Sequence, residues 1–114
     1  ELIGSPAYRG DPARTRERLL ASVRRAYRPA GTARQLLAIV ADGDRSPLLE
    51  RIVAPTRVIH GGADPLVPVG CGHDLVRRIA GAQADMVPGM GHDLPDALFD
   101  RFADGIRDNA ARGA

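Results

Sequence analysis

Two short segments carry the residue types that acid–base chemistry needs. TRVIHGGADPLVP, residues 56–68, runs from a β-branched apolar stretch into a Gly-Gly turn with Asp64 near its tip. ADMVPGMGHDLP, residues 84–95, runs from a second short stretch into a glycine-rich loop that carries His92. A carboxylate beside an imidazole accepts the ring N–H, fixes the tautomer, and stabilises the imidazolium that forms when the ring takes a proton. The other ring nitrogen is then free to act as general base on a hydroxyl. Histidine suits the task because it titrates near neutrality.

The flanking patterns say how those two side chains meet. Thr56 to His60 reads as a strand buried on both faces, because Val58 and Ile59 are adjacent and apolar between Pro55 and Gly61. Residues 61–68 read as a loop, Gly70 to Ile79 as a helix ending at Ala80-Gly81, and Ala84 to Val87 as a second strand. Pro88 to His92 is a loop, in which Gly89 and Gly91 permit backbone angles strained for other residues. Pro95 to about Ala111 is a final helix with Leu98, Phe99, Phe102 and Ile106 at spacings of three and four. Strand, loop, helix, strand, loop, helix implies a parallel βαβ unit with a right-handed crossover. Chemistry in such sheets sits beyond the carboxyl ends of the strands. Asp64 and His92 each follow a strand, so they fall on adjacent loops at one edge.

The first half is helical. Asp11-Pro12 is a helix start, followed by Leu19, Leu20, Val23 and Tyr27 at helical spacing and stopped by Pro29. Gly31-Thr32 opens a second helix that ends at Asp42-Gly43-Asp44, and Pro47 to Ile52 reads as a short helical turn.

Composition narrows the classes. The chain has 114 residues, 44% apolar but only 4% aromatic, so its core is built from aliphatic side chains. All 16 basic residues are Arg, spread along a chain of net charge +2, with no basic run interleaved with aromatics; no nucleic-acid partner is expected. No apolar run approaches the roughly 20 residues that span a bilayer, and no membrane partner is expected. Cys71 is alone, which excludes an internal disulfide and fits a reducing, cytoplasmic setting. The chain begins at Glu1 without Met and reads as a piece of something longer or a processed product.

Bland readings compete. GGADP alone is a turn signal in any protein. His60, at a strand end, reads as a packing or hydrogen-bonding residue, and His73 as solvent-facing. Cys71 lacks a strand-turn-helix setting and reads as an inert thiol. The histidines and carboxylates show no metal-ligand spacing such as H-E-x-x-H, so neither a metal nor a cofactor is expected.

With these residues in place, the pattern resembles the C-terminal third of the α/β-hydrolase fold. RIVAPTRVIHGGADPLVP, residues 51–68, looks like that family's penultimate strand and acid loop. GAQADMVPGMGHDLP, residues 81–95, looks like its last strand and histidine loop, and ARQLLAIVADGDRSPLLERI, residues 33–52, like the end of its cap and the return to the sheet. The likeness is greatest to small serine esterases related to aclacinomycin methylesterase. It implies an α/β chain in which residues 1–45 belong to a helical cap and 46–114 form a βαβα part of the core, incomplete as a domain. It further implies that Asp64 is the catalytic acid and His92 the catalytic base of an enzyme acting on a small-molecule carboxylic ester. Leu66 and Met90, next to that pair, are candidates for the pocket wall, with packing as the competing role.

The departure from the family pattern is the nucleophile. The family's chain order is nucleophile, acid, histidine, and no G-x-S-x-G occurs here. Ser5, Ser22 and Ser46 sit in GSPAY, LASVRR and GDRSPL, none of them a strand-to-helix elbow. The oxyanion segment is absent too. The resemblance therefore implies a missing N-terminal part of the same protein, or another chain, that completes the sheet. The alternatives are a non-catalytic binding or regulatory module on the same scaffold, and another hydrolase chemistry such as C–C cleavage, dehalogenation or perhydrolysis.

Overall fold

In the computed structural model residues 2–113 are described. They fall into two compact units: Gly10–Arg45, and the remainder, in which the stretch ending at Arg9 groups with residues 46 onward.

The Gly10–Arg45 unit holds two helices. Asp11 caps Pro12–Arg25 (α1), its carboxylate accepting the Ala13 N–H at 3.0 Å, with Pro12 at the first helical position. Pro29 does not merely end this helix. The turn is already broken at Ala26, and Pro29 opens Pro29–Asp42 (α2), two residues before the start that Gly31-Thr32 suggests. Proline's fixed φ suits that first position. Gly43, at φ 69°, closes α2. Neither helix buries a residue.

The larger unit is of the α/β class. After Ser46–Leu49 (α3), Arg57–Gly61 (β1) leads through Val69–Arg78 (α4) to Gln83–Val87 (β2). A short 3₁₀ turn, Asp96–Leu98, precedes Phe99–Ala111 (α5). The final helical segment expected from Pro95 is thus split, with Pro95 itself extended. The strands pair in parallel, Arg57 opposite Gln83 through Gly61 opposite Val87.

Side chains alternate along β1. His60 meets Gly72 of α4, whereas Arg57 and Ile59 meet Gly105 of α5, so the two helices cover opposite faces. Val87, Met90 and Leu98 form the buried cluster, flanked by Tyr8, Ile59 and Phe102. Val58 is buried, but Ile59 only partly, less than the adjacent apolar pair suggests.

A charged cluster fixes α5 to the sheet. The buried Asp85 of β2 accepts both Arg101 Nε, at 3.1 Å, and Arg101 Nη2, and lies 3.8 Å from Arg57. Hydrogen bonding from Arg101 holds the Asp85 carboxyl below its ordinary value, against the opposing effect of burial. At the other end of α5, Asn109 donates to the Pro55 carbonyl at 2.9 Å and Arg112 to the Gly81 carbonyl at 2.8 Å.

Because its folded pKa is depressed, Asp85 stabilises the fold above its unfolded pKa of about 3.9, and that contribution is lost as pH falls further. Asp85→Ala is expected to lower unfolding free energy by about 2 kcal/mol at neutral pH, with a smaller deficit in acid. Urea denaturation of the full-length protein and its variant across pH checks this, and identical curves for the two at pH 7 would contradict it.

Candidate active site

The loops that follow β1 and β2 lie against each other. Gly62 N–H donates to the Val87 carbonyl at 2.9 Å and Ala63 N–H to the Met90 carbonyl at 2.9 Å. Gly61 is required by this closeness: a Cβ there would lie 2.3 Å from the Gly91 oxygen and 2.4 Å from the Met90 oxygen. In the second loop the two glycines differ. Gly89 has φ 72°, which favours glycine, but Gly91 is not in the left-handed region. What Gly91 provides is space, since its Cβ would sit 2.6 Å from backbone atoms of Gly4.

This approach puts Asp64 beside His92. Asp64 Oδ1 accepts the N–H groups of Leu66 at 2.8 Å and Val67 at 2.9 Å, an Asx turn that fixes the carboxylate. Its Oδ2 lies 2.8 Å from His92 Nδ1. An ionised carboxylate only accepts, so Nδ1 carries the hydrogen, and in the neutral ring Nε2 then holds the lone pair. Nε2 has no hydrogen-bond partner among the described residues. The Asp64 side chain is 5% exposed and that of His92 41%: an enclosed anion holds a ring whose outer edge is open.

Burial pushes the Asp64 carboxyl up, but the Val67 N–H, His92 and the Leu66 N–H together outweigh it and bring the pKa down to about 2. A depressed folded pKa means that Asp64 stabilises the fold above its unfolded value of about 3.9 and loses that contribution as pH falls through about 2.

Other residues fall as follows. Leu66 is exposed in the acid loop, whereas Met90, 4% exposed, packs into the core with Val87 and Leu98. His60 Nδ1 lies 3.0 Å from the Gly61 carbonyl, and its ring packs on Gly72. His73 and Cys71 are exposed on α4. Among the described residues no three or more His, Cys, Asp or Glu group to hold a metal ion. No helix among them is long and apolar enough to cross a membrane.

Sequence reasoning missed the stretch preceding Arg9. Ile3 accepts the His92 backbone N–H at 2.8 Å, and Ala7 N–H donates to the Gly89 carbonyl at 3.2 Å. Ser5, 2% exposed, accepts Gly91 N–H at 2.8 Å and donates to Asp93 Oδ1 at 2.5 Å. The only signal was a serine flanked by Gly4 and Pro6, which reads equally as a loop. No family model matches the chain.

Gly61→Ala is expected to force the loops apart, cost about 1–3 kcal/mol and break the Asp64–His92 hydrogen bond. Gly70→Ala, where a Cβ meets nothing within 4 Å, is the control and leaves stability unchanged or raised. Thermal melts of both variants in the full-length protein decide; equal behaviour would contradict the close-approach reading.

Proposed function

We propose that this chain supplies the acid and base of a serine hydrolase of α/β-hydrolase type that cleaves carboxylic esters. The observation that carries the reading is the 2.8 Å contact between Asp64 Oδ2 and His92 Nδ1, with Nε2 open, on loops beyond the carboxyl ends of two parallel strands. In this reading a serine outside the sequence completes the team. As its Oγ attacks the ester carbonyl, His92 Nε2 takes its proton. Asp64, fixed by the Leu66 and Val67 N–H groups, stabilises the imidazolium. His92 then returns the proton to the departing alkoxide. In the second half Nε2 takes a proton from water, which attacks the acyl-enzyme carbon, and gives that proton to the serine as the acid leaves.

The chain's own hydroxyl near the loop does not fill the missing role. Ser5 is buried, and its proton is directed to Asp93 and not to His92. Oxyanion donors, worth roughly 3–4 kcal/mol each in the barrier, are also assigned to the missing part. The two strands are expected to join a wider sheet provided by that part, since a two-stranded parallel sheet does not close a core. A non-catalytic module on the same scaffold is the second reading, supported by the lack of a nucleophile in these residues. A scaffold without catalysis has no need of the oriented acid–imidazole pair.

The complete protein is expected to hydrolyse a short-chain chromogenic ester. His92→Ala and Asp64→Asn should each lower kcat by about four orders of magnitude. Asp64 is held near 2, so it stays ionised and adds no limb to the pH–rate profile above about pH 4. The 114-residue chain alone should show no turnover and no sharp cooperative melt. Ester turnover by the isolated chain that is lost in His92→Ala would overturn the assignment of the nucleophile to another segment.

A further inference from the structure

We propose that Ser5 is a positioning residue for His92, acting through the backbone of the histidine loop. The loop is held from two sides. From one side the acid loop reaches it through Ala63 N–H to the Met90 carbonyl. From the other, residues 3–7 hold three consecutive positions. Ser5 Oγ takes Gly91 N–H, the Ile3 carbonyl takes His92 N–H, and the Ser5 hydroxyl donates to the Asp93 carboxylate. These bonds bracket the histidine itself.

The Ser5 hydroxyl is the hub, because it uses both its donor and an acceptor lone pair within a site that excludes water. Such a buried hydroxyl constrains the groups it joins, above all the Gly91 N–H, which finds no water as a substitute. The Cα position of Gly91, with no room for a side chain against Gly4, lets the two backbones come close enough to form these bonds.

The consequence concerns a ring 41% exposed that is otherwise anchored by one hydrogen bond to Asp64. Displacing the loop backbone by a fraction of an ångström is enough to loosen that bond, and reacting groups displaced by about 1 Å lose about 100-fold in rate. Ser5 therefore holds the loop in the position at which Asp64 fixes the tautomer and aim of His92, without touching substrate. Its effect on turnover rests on the hydrolase reading; its effect on the ring does not.

The test uses the complete protein and the variants Ser5→Ala, Asp93→Ala and Asp93→Asn, with His92 assigned through His92→Gln. Long-range ¹H–¹⁵N spectra, at a pH where the ring is neutral, report which nitrogen carries the hydrogen. The wild type and Asp93→Asn, which keeps an acceptor for the Ser5 hydroxyl, are expected to hold the Nδ1–H form. Ser5→Ala and Asp93→Ala should show a mixture, with kcat down about 100-fold and KM within about threefold. Asp93 is exposed, so its pair of variants decides the matter if Ser5→Ala does not fold. A wild-type tautomer in both alanine variants would overturn the proposal. A shifted tautomer in a protein whose wild type hydrolyses no ester would sink the hydrolase reading and leave the positioning role standing.

Discussion

At the rim of the sheet, the backbone of Gly61 passes the carbonyls of Met90 and Gly91 so closely that a single methyl group would not fit between them. That approach requires parallel strands in register, because the two loops leave β1 and β2 at the paired residues Gly61 and Val87. It also requires helices on opposite faces of the sheet to fix the pair, through the Gly72–His60 contact and the Arg101–Asp85 ion pair. Given that arrangement, a carboxylate three residues beyond Gly61 and an imidazole five beyond Val87 meet without a direct backbone link between them.

Electrostatics then gives the two groups different roles. The carboxylate is enclosed and satisfied by two N–H groups on one oxygen, so it stays ionised and fixed. Burial alone would have raised its pKa and favoured the neutral form, which cannot orient an imidazole in the same way. The backbone N–H groups reverse the sign. The histidine keeps one nitrogen on the anion and the other toward solvent, the asymmetry that a general base requires.

Much of this was legible in the residues. The β-branched run ending in Gly-Gly and the short stretch ending in Pro-Gly announced two strands with loops. The helical period between them forced a parallel connection, and that alone put Asp64 and His92 at one edge. What was illegible depends on tertiary proximity. Gly61 reads as an ordinary turn glycine, and only the neighbouring loop shows that it is needed for space. Met90 sits in a loop beside the histidine, yet its side chain turns into the core, where an unbranched apolar chain fills the gap near Val87 and Leu98. Asp85 lies within a strand whose alternation marks it as a polar interruption, and its partner, Arg101, is on another element. Ser5 has no periodic pattern around it, and its partners are far along the chain.

The direct measurement is a crystal structure of the complete protein after reaction with an alkyl phosphonate ester, which traps an activated serine as a covalent adduct. The hydrolase assignment requires phosphorus on one serine, with its Oγ within about 3 Å of His92 Nε2 and Asp64 still on Nδ1. An unmodified protein, or an adduct on a residue remote from His92, would contradict it.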